Sequence, residues 1–378
     1  MGVALQKTLT LILFIVIGIL LKKKIKTKQE LHGIKALILS IALPATIFIA
    51  LLKIEINQSL ILLPFIALAA NVLLFLGLKG IIKMMGVDVG NSKYRTLLLM
   101  LPSLAPGLSC FPFLTEYLGE QSLAIAALAD VGNKVFVLII LYAVAMHWYF
   151  KQVHKVNPYI ETKNTKIKKL LKSLISEPIN MILLIALSML CLGMNVDSLP
   201  IFLQNSIVRL GMMMTPLVLM FIGIAVKINK NDFVEIFQIL LSRSALAFGL
   251  SAVSLVVAPE GITTSLLLVL VVFPQSACSF WPFAHMTAIN QLEEGTELKP
   301  TFDLNLGINL LAISLPFSTA IILTICSTGT YFANPITLVV IASVFLILAV
   351  IPNFFKKLNK VNSENDIKWI SQLEKGHD

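Results

Sequence analysis

Between Gly261 and Leu292 the chain carries no Asp, Glu, Lys or Arg, and apolar stretches of the same character recur along its whole length. A helix needs about 20 apolar residues to cross a hydrocarbon core of roughly 30 Å. Eleven stretches approach or exceed that requirement, at about 3–21, 36–52, 59–78, 96–118, 121–148, 178–195, 202–226, 236–257, 263–289, 305–326 and 335–353. Backbone amides and carbonyls cannot stay unpaired in lipid, so only helices and closed barrels span it. Barrel strands alternate apolar and polar residues over roughly ten positions, whereas these stretches are apolar all round. The expected fold class is therefore all-α, a polytopic membrane protein in contact with the lipid bilayer. Only 13% of the residues are charged, too few to cover a soluble domain.

The net charge of +10 is distributed by loop. Lys22, Lys23, Lys24, Lys26, Lys28 and Lys35 fill the first loop, Lys79, Lys83, Lys93 and Arg95 the third, and a Lys-rich run from Lys151 to Lys172 the fifth. Intervening loops carry Glu55, Glu116, Glu120, Asp197 and Glu260, with Lys53 their lone base. The positive-inside rule then puts the odd loops in the cytoplasm. The expected topology has the N-terminus outside and the C-terminus inside the cell (inner) membrane. This pattern gives no reason to expect nucleic acid as a partner. The first stretch follows "MGVALQK" without a basic start or a small-residue cleavage site, so it is expected to stay as a helix. Cys110, Cys191, Cys278 and Cys326 show no CxxC spacing and predict neither disulfides nor a metal site.

Sliding the chain against itself reveals a repeat. "IALPATIFIALLKI" aligns with "MMTPLVLMFIGIAVKI", pairing Pro44 with Pro216 at an offset of 172. "LLLMLPSLAPGLSCFPF" aligns with "LLLVLVVFPQSACSFWPF", pairing Pro106 with Pro274 and Cys110 with Cys278 at 168. "ADVGN" aligns with "FDLNLGIN", pairing Asp130 with Asp303 at 173. Five helices per half is an odd number, so the second half enters the membrane from the opposite side, an inverted repeat of the secondary-transporter kind. The expected organisation is a first repeat over 1–150, a basic cytoplasmic linker over 151–176, a second repeat over 177–326, an extra transmembrane helix over 327–355 and a cytoplasmic tail over 356–378.

Two of these stretches are expected to be broken. Pro274 removes a helix hydrogen bond, with Gln275 and Ser276 beside it, and Ala105, Pro106, Gly107 and Ser109 lie at the matching depth of the other half. A break at membrane depth is tolerated only where protein or a water-filled cavity satisfies the freed groups. Two such breaks brought together offer helix amides to an anion and loose carbonyls to a cation. Asp130 and Lys134 lie one turn apart with Asn133 between them; they form either a structural ion pair or a coupling site for a cation or proton, and intramembrane charge favours the second. Asp303 and Asn305 are their second-half equivalents, with a solvated helix start as the alternative for Asp303. Arg243 either holds a carboxylate or snorkels to the interface. Snorkelling is expected of Arg209, and packing of His285, Trp281 and Phe283.

"LTLILFIVIGILLKKKIKTKQELHGIKALILSIALPATIFIALL", "APGLSCFPF" and "ADVGN" resemble the auxin efflux carrier family, in its bacterial members related to malate and malonate permeases. Gly107 and Pro112 match an Asn-x-Gly-Phe-x-Gly-x-Pro type motif, while Ala105 stands for its Asn and Cys110 for its second Gly. The resemblance implies a 5+5 inverted-repeat core like that of bile acid symporters and sodium/proton antiporters. It further implies two crossed broken helices, a homodimer, elevator-type motion and a small organic anion as substrate. The anion contact usually supplied by Asn falls here to Ser109 or Gln275. No cofactor is expected beyond coupling to sodium or protons. No GxxxxGK[ST], HExxH or GxGD sequence is present, so neither direct ATP use nor an enzyme is expected. The rival functions are a sodium/proton antiporter on the same fold and a transporter-derived receptor or scaffold.

Overall fold

Pro44 shows how one residue reshapes a transmembrane helix. It has no amide hydrogen to give the carbonyl four residues earlier, and the preceding turn widens into a π segment, Ile38–Ala42, in which the Leu43 amide bonds the Ile38 carbonyl. The computed structural model describes residues 3–25, 27–53, 58–156, 178–225, 233–258, 263–294 and 299–350. Most of the basic linker and the whole of the tail expected over 356–378 lie outside the described residues.

The described elements are helical. In chain order they are α1 (Val3–Leu21), α2 (Lys28–Leu37), α3 (Leu43–Leu52), α4 (Gln58–Met84), α5 (Ser92–Met100), α6 (Pro106–Ser109), α7 (Phe111–Val135) and α8 (Leu141–Val156). The second half continues with α9 (Pro178–Cys191), α10 (Ile201–Met212), α11 (Met214–Ala225), α12 (Phe233–Val257), α13 (Thr264–Val272), α14 (Phe280–Glu293) and α15 (Leu304–Thr328). A last apolar helix, α16, spans Pro335–Val350.

Among the described residues, seven helices are long and apolar enough to cross a membrane: Gln29–Leu52, Leu62–Met84, Phe111–Val153, Ile201–Ala225, Phe233–Val257, Thr264–Glu293 and Leu304–Ala333. Leu9–Leu21 and Pro335–Val350 are shorter apolar helices. The chain is thus a multi-pass membrane protein. Eleven stretches were expected, and local geometry accounts for part of the difference. The stretch 96–118 is interrupted after Met100, and its second part is joined to the next by Gly119. Gly119 has φ 83° and ψ 177°, a conformation that needs a residue without Cβ, so Phe111–Val153 is two helical pieces meeting at a turn. The sixth stretch yields only the 14-residue α9.

Close backbone crossings fix the helices that flank the breaks. An added Cβ at Gly132 of α7 would lie 1.8 Å from the Pro64 carbonyl oxygen of α4, and one at Gly223 of α11 would lie 2.2 Å from the Ile15 carbonyl oxygen of α1. Two apolar cores result. The first contains Phe48, Phe111, Phe113 and Val271–Phe273; the second contains Leu97–Leu101, Phe136, Cys278, Met286 and Ile289. At the first break the chain passes from the second core to the first, and at the other break it passes back. The two interrupted spans therefore run between the same cores in opposite directions.

The ends of the helices are tied by loop contacts. Lys93 pairs with Glu235. The Arg95 Nε donates to the Thr301 carbonyl at 2.8 Å, and Gln152 bonds the Thr301 hydroxyl at 2.9 Å. Lys53 meets Glu120 at 2.7 Å. Each contact joins loops of the same parity along the chain.

The Gly132 crossing gives a direct test. Gly132→Ala is expected to lower stability by about 1–3 kcal/mol, because the extra methyl must push two backbones apart. Gly33→Ala, with nothing within 4 Å of the added Cβ, is expected to raise stability by about 0.5–1 kcal/mol through helix propensity. Thermal unfolding of the purified protein in detergent measures both.

Candidate functional site

The two breaks are formed by sequence chemistry that stops a helix. In the first, α5 ends at Met100 with Leu101 as its cap, Ala105 adopts a non-helical φ of −124° and ψ of 66°, and Pro106 starts α6. In the second, Pro274 sits in a 3₁₀ turn, Phe273–Gln275, and extended residues follow until Ser279 caps α14, its hydroxyl accepting from the Trp281 amide.

These breaks touch. The Ala105 amide donates to the Ala277 carbonyl at 2.8 Å. The Ser109 hydroxyl accepts from the Ala277 amide at 2.9 Å and donates to the Ala105 carbonyl at 2.9 Å. Further along the same non-helical segment, the Ser279 amide donates to the Ser103 hydroxyl at 3.0 Å and the Cys278 amide to the Ser314 hydroxyl at 3.3 Å. The amides of Ala105, Ala277, Cys278 and Ser279 are all paired within the protein, so these four are not among the amides expected to be left for a ligand. Buried amides without partners are costly; small hydroxyl side chains supply three of these partners and a backbone carbonyl the fourth.

Arg243 of α12 is fully buried. Its Nε donates to the Leu101 carbonyl at 2.7 Å and its Nη2 to the Ser276 carbonyl at 2.6 Å, so one guanidinium grips both breaks. Snorkelling is excluded for this side chain. Its Nη1 has no hydrogen-bond partner among the described residues. The neighbouring Ser244 hydroxyl donates to Gln275 Oε1 at 2.8 Å, and Gln275 Nε2 returns to the Ser244 carbonyl at 3.3 Å.

A second polar group braces the first break. Asn133 Nδ2 donates to the Leu104 carbonyl at 3.0 Å and to Asp130 Oδ1 at 2.8 Å, while Asn71 Nδ2 donates to Asn133 Oδ1 at 3.0 Å. Lys134 Nζ lies 3.4 Å from Asp130 Oδ2, and both side chains are buried. Thus Asp130, Asn133 and Lys134 come together as expected from their spacing. Among the described residues, no hydrogen bond joins their second-half equivalents to them. Asp303 accepts from the Leu306 amide as the cap of α15, its own amide donates to Thr96 Oγ1 at 2.8 Å, and Asn305 is exposed.

The remaining candidates have settled positions. His285 is buried, its Nε2 lies 3.1 Å from the Val137 carbonyl, and its ring packs edge-on to Tyr142 at 5.2 Å. That carbonyl is free to accept because the Leu141 amide bonds Phe136 across a π segment, Phe136–Ile140. Trp281, expected to pack, is instead more than a third exposed. Sequence reasoning missed Ser103, Ser244 and Ser314. Their signal was weak, a single hydroxyl within an apolar helix, which more often bonds its own backbone.

The sequence matches no protein-family model and no curated protein.

Ser109→Ala would leave the Ala277 amide buried without a partner and is expected to cost about 1–3 kcal/mol of stability. Ser206→Ala, at an exposed hydroxyl that bonds only its own helix, is expected to change stability by no more than about 0.5 kcal/mol. Parallel thermal melts compare them.

Proposed function

We propose that the chain is a secondary transporter of a small organic anion, of the auxin efflux carrier type, working by elevator-like alternating access at the crossing of its two broken helices. The single observation that carries this function is Arg243. A fully buried guanidinium with no carboxylate partner among the described residues, held between two breaks, is an uncompensated positive charge in a low-dielectric setting, and such a charge draws an anion. Asp130 does not compensate it, because Lys134 lies 3.4 Å from that carboxylate.

Several features support an inverted repeat over 1–150 and 177–326. The interrupted spans connect the same two cores in opposite senses. The Ser109 to Ala277 contact joins residues 168 apart, the offset that pairs Pro106 with Pro274. Loop contacts join odd loops to odd and even to even, as the alternating topology with cytoplasmic odd loops requires. In this scheme Asp130 and Asn133 couple the first break to a sodium ion or proton, Ala105, Pro106, Gly107 and Ser109 with Pro274, Gln275 and Ser276 frame the anion site, and a homodimer supports the motion.

The buried Asp130 carboxylate is what favours the rival, a sodium/proton antiporter. A thermal-shift screen of the purified protein against carboxylates and against sodium separates the two. At least one carboxylate is expected to stabilise the wild type, by about 2.7 kcal/mol at roughly 100 times its Kd. Asp130→Asn is expected to keep that stabilisation and to lose the dependence of carboxylate flux on a sodium or proton gradient in proteoliposomes. Stabilisation by sodium alone, with no response to any carboxylate, would transfer the assignment to the antiporter.

A further inference from the structure

The crossing is closed on most sides and accessible on one. Ser103, Ser109, Gln275, Ser276, Cys278 and Ser279 are buried, whereas Ala105 and Gly107 are half-buried and Phe280 is 49% exposed. The span Gln29–Leu52 faces this accessible edge. A Cβ on Gly107 would meet Leu43 Cδ2 at 2.8 Å and Leu39 Cδ2 at 4.0 Å. One turn before Leu39, the Lys35 ammonium lies 4.6 Å from the centroid of the Phe280 ring, the first residue of α14 beyond the second break. Lys35, Leu39 and Leu43 therefore line one side of the span, with the cation at its end and the π segment of Ile38–Ala42 running through it.

Lys35 forms no salt bridge with a described carboxylate. An aromatic face is a weak partner for an ammonium. A carboxylate makes a stronger, charge-assisted bond with the same group. An ammonium held by a ring beside an accessible edge is thus ready to change partner.

We propose that Lys35 is an anion-binding residue of the crossing: it rests on the Phe280 ring in the anion-free protein and moves to the carboxylate of the incoming organic anion. This assignment rests on the anion function proposed above and adds to it a contact from outside the broken helices. Binding then couples the span Gln29–Leu52 to α14, because forming the new bond releases Phe280.

The test uses full-length protein in detergent and the carboxylate that most stabilises the wild type. Lys35→Met is expected to raise the concentration for half-maximal stabilisation by about tenfold or more, as loss of a charge-assisted bond requires. Lys35→Arg is expected to stay within about threefold of wild type, and Phe280→Leu, which removes the competing ring, to bind at the same concentration or lower. Trp281, next to the ring, supplies a second readout: its fluorescence is expected to change on anion addition in the wild type and not in Lys35→Met. A Lys35→Met protein that folds and titrates within twofold of wild type overturns the role of Lys35 while leaving the anion function standing. A wild type that responds to no carboxylate overturns both.

Discussion

The architecture depends on finding a partner for every backbone group freed where two helices are interrupted inside the bilayer. Lipid offers none, and water is scarce at that depth. The protein answers with two kinds of side chain. Small hydroxyls take the amides, with Ser103 serving Ser279, Ser109 serving Ala277 and Ser314 serving Cys278. Donors take the carbonyls, with Arg243 on Leu101 and Ser276, and Asn133 on Leu104. These bonds run between the two spans or to neighbouring helices, so the breaks are not loose segments. Each helps hold the other.

For the proposed anion function, that arrangement leaves charge, more than open backbone, as the means of recognition. Half-helix ends act on ligands through their amides when those amides are free, and most of those at the second break are occupied here. What is left is the field of a buried guanidinium and, at the accessible edge, an ammonium over a ring. The Asp130 and Lys134 pair lies beside this region and neutralises itself, so the local balance stays positive.

Much of this was legible in the sequence where a residue type admits few conformations. Pro106 and Pro274 marked the two breaks, because a missing amide hydrogen has local consequences whatever surrounds it. The spacing of Asp130, Asn133 and Lys134 put them on one helix face, and they meet. Asp303 left two readings open, an equivalent of Asp130 or a helix start, and it takes the second, as a cap. The serines were illegible because a hydroxyl reveals its partner only after another helix arrives. Lys35 was counted among the basic loop residues, and nothing in the linear chain shows that Phe280 lies above it.

One crossing sets how far any motion can spread. Where Gly132 meets the Pro64 carbonyl, no side chain stands between α4 and α7, and Asn133 is the next residue along. Side chains act as cushions by changing rotamer; two backbones in direct contact have no such give. In the proposed alternating access, a tilt of α4 would therefore pass with little damping to the Asn133 amide that steadies Leu104.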